Sequence, residues 1–529
     1  MTHPPQISTP PATAALAPTR AWVGLGVLVL AVTLLAIDGT VLALAIPSLA
    51  ADLGATATQL LWVGDIYSLV LAGLLVTMGN VADRFGRKRV LLIGATVFGL
   101  ASAVGAFAPN AEVLIAARAV LGIAGATIMP STLSLIRSMF HDRQQRTRAI
   151  ALWAAGASGG AALGPLVGGA LLENFWWGSV FLINIPVMLV LLALGIPLLP
   201  ESRHPSPGRF DLTSAGLSIA GAIALVYAVK TVAKDGFTLQ FAIALIIGVG
   251  GLVVFVRRQR TLDFPLIDVG LFKSKPFTGA IMGTFVAVFA MSGLLFFFSQ
   301  YLQLVEGHSP LEAGLRELPL ALAMIVVPVF AGVAAKRLGV NRAVGIGLGL
   351  AAVGLTVIAV AEDSGTYTWI AVGLAVIGLG AGLAYTLTTD VVVGAVPASR
   401  AGAASAISES AYEFGIAVGI AVMGSIQAAA YTANVRDLDL PADIAPHAED
   451  SLAGALGVIT DPATVESLQH AFVAGMQVTL YTGAGLLLVA AVLGWRLIRP
   501  NQLTNDNEHH EDAGSHVTPD PCVTGEPGS

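Results

Sequence analysis

Long apolar stretches separated by short polar loops run through the whole chain. A bilayer core about 30 Å thick needs roughly 20 apolar residues of helix to cross it. Fourteen runs meet that length: about 22–46, 58–82, 89–108, 112–135, 148–172, 177–199, 212–231, 238–257, 277–303, 313–335, 342–361, 367–395, 402–431 and 471–497. The pattern predicts an all-α integral membrane protein with fourteen transmembrane helices. Alternating the loops between two sides tests that count, because cytoplasmic loops collect Lys and Arg. Of the 27 Lys and Arg residues, 22 fall on the side shared by both ends of the chain. Lys230, Lys234, Arg316 and Arg436 fall opposite, and Arg118 lies within a helix. The bias predicts an even number of helices with both termini cytoplasmic.

The loops also repeat. After helix 2 the chain reads GNVADRFGRKR from Gly79 to Arg89, and after helix 10 it reads GVAAKRLGVNR from Gly332 to Arg342. Gly, Ala, Arg, Gly and Arg recur in register. Helix 4 carries AVLGIAGA from Ala119, and helix 12 carries AVIGLGAG from Ala375, at almost the same offset. The matched elements are eight helices apart, so two helices separate a pair of six-helix units. This gives a six-plus-two-plus-six plan: a bundle over 21–200, an inserted pair over 201–260 and a second bundle over 261–500. An acidic extracellular loop, 433–469, lies between helices 13 and 14. A Pro/Thr/Ala-rich leader, 1–20, and a polar tail, 501–529, are expected to be disordered and cytoplasmic.

Composition agrees with a lipid environment. The chain is 55 % hydrophobic and 11 % charged with a mean hydropathy of +0.80, against about 25 % charged residues in a globular protein. Its 59 glycines suit membrane helices, whose backbones approach closely through small residues. The net charge of −6 is local: seven acids and one Arg lie in 433–469, and six acids without Lys or Arg lie in 501–529. No nucleic-acid partner is implied. Cys522 is the only cysteine, so no intramolecular disulfide can form. Neither an HExxH zinc site nor a GxxxxGK[ST] phosphate loop occurs, which leaves metal-dependent hydrolysis and ATP-driven transport unsupported.

Chemistry is expected where charge interrupts the apolar runs. A carboxylate at the bilayer centre costs roughly 2.5–3.5 kcal/mol on insertion scales, so a buried acid is a functional candidate by default. Asp38 in helix 1 and Asp65 in helix 2 fall at similar depth in the outer half. Glu409 and Glu413 in helix 13 are four apart and share a face, with Tyr412 beside them. Two like charges at that spacing disfavour joint ionisation, which suits a proton carrier. Asp390, near the end of helix 12, reads as an interface residue. Arg118 is a lone guanidinium deep in helix 4, expected to face inward and meet backbone carbonyls or a carboxylate. Trp62 shares the Asp65 face, and Tyr67, Tyr301, Tyr385 and Tyr412 also interrupt apolar helices. Aromatic faces beside carboxylates suit organic cations, whereas Trp176 and Trp177 read as interfacial belt residues.

At these positions the sequence resembles the major facilitator superfamily, and within it the fourteen-helix drug:proton antiporters of the quaternary-ammonium and multidrug efflux type. Gly79, Asp83, Arg84, Gly86, Arg87 and Lys88 match that family's gating loop between helices 2 and 3. Leu114, Arg118, Gly122 and Gly125 match its helix 4 motif, and Gly160, Gly164, Pro165, Gly168 and Gly169 match its helix 5 antiporter motif. The strings IDGTVLALAIP, LWVGDIYSLVLAG and ESAYEFG look like those of its efflux pumps. The resemblance implies the major facilitator fold with pseudo-twofold halves, and alternating access powered by the proton gradient with no cofactor or metal. It implies a multi-pass plasma-membrane protein acting as a monomer on lipophilic cationic drugs and protons. Asp38, Asp65, Glu409, Glu413 and Arg118 would then carry protons and substrate, with Trp62, Tyr67, Tyr385 and Tyr412 lining the cavity. Departures are Ala43 in the first-helix signature, Leu121 in the helix 4 motif and Ser408 where some relatives carry a second adjacent Glu. An exporter of a specific endogenous metabolite or antibiotic would share every coupling motif and differ only in the cavity.

Overall fold

The computed structural model describes residues 17–203, 211–262, 265–362, 366–396, 401–438, 440–441, 444–459 and 461–498. The expected disorder of the leader and of the tail 501–529 therefore falls on residues that lie mostly or wholly outside the described ones. Among the described residues there is no strand, and fourteen helices are long and apolar enough to cross a membrane. They are α1 (Thr19–Leu53), α2 (Ala57–Phe85), α3 (Arg87–Ala106), α4 (Ala111–Met139), α5 (Arg143–Asn174), α6 (Ser179–Leu198) and α7 (Leu212–Asp235). The second seven are α8 (Leu239–Gln259), α9 (Lys275–Val305), α10 (Pro310–Leu338), α11 (Val340–Ala361), α12 (Tyr367–Gly394), α13 (Ala401–Arg436) and α14 (Pro462–Leu497). Every span matches a run read from the sequence. The largest revision is α14, which begins at Pro462 rather than near 471 because Asp461 caps it through the Thr464 amide. An even number of spans brings the start of α1 and the end of α14 to one side of the bundle, the termini side.

Local chemistry sets these limits. Thr56 and Gln59 form a reciprocal capping box at the start of α2, and Ser309 and Glu312 do the same for α10; each arrangement satisfies two of the amides that a helix start leaves unpaired. Gly86 and Gly339 occupy the same place in the two repeated loops. Each ends one helix and begins the next at a positive φ, +111° and +81°, a backbone region that residues with a Cβ rarely adopt.

The repeat is also present in the packing. In the first bundle α1 lies on α5 and α6, α2 on α4, and α3 on α4 and α6; in the second, α9 lies on α13 and α14, α10 on α12, and α11 on α12 and α14. The halves meet through α2 against α13 and α5 against α10, pairings that exchange under a twofold operation. Those contacts lie towards the side away from the termini. Leu61 fills the space over Gly424, the Pro165 carbonyl lies on Gly314, and the Ala57 amide donates to Asp450 Oδ2 at 3.0 Å. Asp450 closes the first of two short helices, Ala445–Asp450 and Leu452–Leu456, so the acidic loop clamps the far end of α2.

The inserted helices α7 and α8 pack mainly on each other, with α7 also lying along α2 and α13 at the seam. At the termini side Arg258 donates to both oxygens of Asp211, at 3.0 and 3.1 Å. That bond, then those from Ser214, hold the Asp211 carboxyl down at about 2.

Close approach of α5 to α1 depends on glycine. A Cβ on Gly160 would strike the Thr33 carbonyl and the Ala36 side chain, and Gly164 and Gly168 face Thr40 and Val41 in the same way. Gly160→Ala is therefore expected to destabilise the protein by about 1–3 kcal/mol, the usual cost of overpacking, read as a lowered melting temperature in detergent. An unchanged melting temperature would show that α5 can move off α1 freely.

Candidate functional site

Three buried or half-buried polar groups lie inside the first bundle and along its seam with the second. The first surrounds Asp38 of α1, 1 % exposed. Arg118 of α4 donates from Nη1 to Asp38 Oδ2 at 3.0 Å, and Asn184 of α6 donates from Nδ2 to Oδ1 at 2.7 Å. The same Asn184 nitrogen reaches Ser102 Oγ of α3 at 3.1 Å. Arg118 also donates from Nε to the Val63 carbonyl at 3.2 Å and lies over the Tyr67 ring at 4.6 Å. The guanidinium therefore meets both a carboxylate and a backbone carbonyl. Five helices of the first bundle, α1, α2, α3, α4 and α6, are tied together by these bonds, which a neutral network could not do as strongly.

The second group surrounds Asp65 of α2, which is fully buried. Its partner is Lys230 of α7: Nζ lies 2.6 Å from Asp65 Oδ2 and 3.7 Å from the centroid of the Trp62 ring. This overturns the placement of Lys230 in an outer loop. It is 3 % exposed, inside α7, and counts among the buried charges.

The third group crosses between the halves. Glu413 of α13 faces Ser68 of α2, and its Oε2 has no hydrogen-bond partner among the described residues. One turn away Glu409 is only half-buried. Tyr412 meets Tyr385 of α12 with ring centroids 5.4 Å apart, and both rings keep some exposure although they lie well inside their helices. Arg118 links the groups: it bonds Asp38 and also meets the Val63 carbonyl and the Tyr67 ring of α2, two residues either side of Asp65, with Tyr67 next to Ser68.

Other sequence candidates fall elsewhere. Tyr301 is buried at the far end of α9 and donates to Glu306 Oε1 at 2.8 Å; it is a local tie and not a cavity wall. Trp176 is exposed beside Phe107, as a belt residue should be, but Trp177 is buried edge-on to Phe181. Asp390 is exposed. In the loop between α2 and α3, Arg87 donates to Asp83 at 2.8 Å, Lys88 donates from Nζ to the Ile196 carbonyl, and the Arg87 amide donates to the Ser202 carbonyl. Arg84 lies against the Phe85 ring, and Gly79 faces Pro130 of α4. Gly86 leaves room for the Glu201 carboxylate. The loop is thus fastened to the chain that leaves α6. Gly169 lies against Leu311 at the start of α10, which joins the helix 5 motif to the second half as well as to α1.

Four residues escaped the sequence reading: Asn184, Ser68, Lys230 and Glu317. Glu317 of α10 is 5 % exposed, with Oε1 unpartnered among the described residues, one turn beyond the Gly314–Pro165 contact. An acid inside the apolar run 313–335 was the available signal. Gly156 to Gly160 also spell GxSxG, but the string lies inside α5, without the strand-to-helix turn that presents a nucleophile.

Two pseudo-symmetric helical halves with ionisable groups on the seam between them define a membrane transporter. The chain belongs to the Major Facilitator Superfamily, whose family profile matches residues 28–420. It is 47 % identical over 486 residues to the multidrug efflux pump LfrA of Mycolicibacterium smegmatis, covering 90 % of this chain and 96 % of that protein. It is 38 % identical over 485 residues to the methyl viologen resistance protein SmvA of Salmonella typhimurium, covering 90 % and 98 %. A solved bacterial homologue of the human lysosomal transporter Spinster shares the fold with a TM-score of 0.64 at 18 % identity, covering 91 % of this chain and 97 % of that one.

Proposed function

We propose that the protein is a proton-coupled multidrug exporter of lipophilic, mainly cationic compounds such as quaternary ammonium biocides and dyes. The observation that carries this reading is the Glu409–Glu413 pair beside the Tyr385 and Tyr412 rings, where carboxylates and π-faces converge at the seam. A delocalised cation gains from both. The names of the relatives LfrA and SmvA support drug efflux, and methyl viologen is itself an organic cation.

In this reading the protein lies in the plasma membrane with both termini cytoplasmic. Drug enters from the cytoplasm or inner leaflet, neutralises the seam carboxylates, and leaves outward when protons replace it. Protons return inward on the same acids. Stoichiometry decides how steep a gradient can be held. With one pH unit and 100 mV, one proton per monocation is electroneutral and sustains about a tenfold gradient, whereas two supply about 5 kcal/mol and several thousandfold.

Ethidium efflux from energised proteoliposomes tests the proposal. Because Glu413 Oε2 has no partner, Glu413→Gln removes charge without breaking a salt bridge, and Glu409→Gln is similarly mild. Each is expected to slow efflux about a hundredfold, the lower end of what a positioned proton carrier contributes, with the melting temperature preserved. A protonophore should stop the wild type. Full-rate efflux in its presence, or in both glutamine variants, would sink the reading.

A further inference from the structure

Lys230 offers Asp65 and Trp62 what a cationic drug would offer them, a positive charge against a carboxylate and an indole face. We propose that Lys230 is a tethered counter-cation that fills this carboxylate–indole site until a substrate cation displaces it, and so decides which cations the transporter accepts. The inference rests on the cationic-export reading above.

Four features support it. The ammonium is held by one carboxylate at 2.6 Å and one ring at 3.7 Å, whereas Arg118 is fixed by Asp38 Oδ2, by the Val63 carbonyl and by the Tyr67 ring. Lys230 can therefore leave where Arg118 cannot. It is five residues from the end of α7 at Asp235, about 7.5 Å along the axis, so its flexible stem can carry the charge out towards far-side water. It belongs to the inserted hairpin, and α7 touches both α2 and α13; releasing Asp65 would loosen the insert from the seam along which the halves move. Finally, a buried ion pair is a poor source of stability compared with apolar residues of the same size, so holding the bundle together does not account for the pair.

Displacement favours one class of cation. An ammonium is compact and strongly hydrated, and a delocalised cation is more weakly hydrated. Aromatic and quaternary cations lose less on entering a dry site, so they can exchange with Lys230. Primary amines cannot, and neutral compounds gain nothing from Asp65.

The test measures ethidium binding to the full-length protein in nanodiscs by fluorescence anisotropy. Lys230→Gln keeps a hydrogen-bond donor for Asp65 but removes the competing charge. It is expected to bind ethidium about tenfold more tightly, the tax lifted when a site blocked roughly nine-tenths of the time is opened. Adding Asp65→Asn should cancel the gain. In the wild type, saturating ethidium should raise acetylation of Lys230 by acetic anhydride, read by mass spectrometry, a measurement that needs no variant to fold. Unchanged affinity in Lys230→Gln, or unchanged labelling in the wild type while ethidium binds, overturns the inference and leaves cationic export standing. Failure of the wild type and Lys230→Gln alike to bind ethidium removes both.

Discussion

Asp38→Asn is expected to leave a protein that still binds and exchanges ethidium but accumulates it against a far smaller gradient. Asp38 is the carboxylate at the centre of the first bundle, bonded to Arg118 and Asn184 and closed to water. Substitution by an amide keeps an oxygen for Arg118. The Asn184 Oδ1 atom, which has no partner, can accept from the new amide once the Asn184 side chain flips, since its two ends are nearly the same shape. What is lost is the capacity to take and release a proton. If Asp38 carries one proton per cycle, its removal takes away about 3.7 kcal/mol of driving force at one pH unit and 100 mV, and the sustainable ethidium gradient falls about five-hundredfold. The measurement compares uphill accumulation in energised proteoliposomes with counterflow exchange in unenergised ones. An uphill gradient within twofold of the wild type would remove Asp38 from the coupling path.

The fold was legible because lipid leaves the backbone few choices: every N–H and C=O must be satisfied within a helix, so apolar length alone marks each span. The repeat was legible for a different reason. Gly86 and Gly339 sit at turns where only glycine is comfortable, and such positions keep their letter when surrounding Ala, Val and Leu drift. Asp38, Asp65, Glu409, Glu413 and Arg118 were visible because each is a charge in an apolar run.

Their partners were not. Asn184 carries no charge, and a neutral amide near the start of an apolar run resembles an ordinary helix-end residue; only the fold brings it to Asp38. Lys230 stands near the end of α7, where an uncertainty of a few residues in the boundary separates a loop lysine from a buried one. Its burial comes from α7 leaning on α2, a packing fact with no periodicity of its own. The sequence reading took the four acids together as carriers of protons and substrate. In the structure Asp38 and Asp65 each already hold a cation, and only the Glu409–Glu413 face keeps exposure. Two internal cations close together on one seam divide the acids into a closed pair and an open pair, and that division could not be read without knowing which helices touch.

Arg118→Met is expected to be the most destabilising single change among the seam residues. It removes the charge that balances Asp38 and leaves the Val63 carbonyl and the Tyr67 face without their cation. Breaking a buried pair by deleting one partner costs about 3–5 kcal/mol because the other charge stays behind, and the loss should appear as a lower melting temperature and lower yield in detergent. Combining it with Asp38→Asn removes the stranded charge. The double variant is expected to recover most of the lost stability, with a coupling energy of up to about 3 kcal/mol between the two sites. If the pair couples transport to protons as proposed, transport should not return, since neither the Asp38 carboxylate nor the guanidinium remains. This separates two roles that the single variants confuse: a pair that merely locks the bundle would regain uphill efflux along with its stability, and such recovery would refute a coupling role for both residues. Arg118→Met as stable as the wild type would instead mean that Asp38 is already neutral beside it, with the proton resident in the resting state.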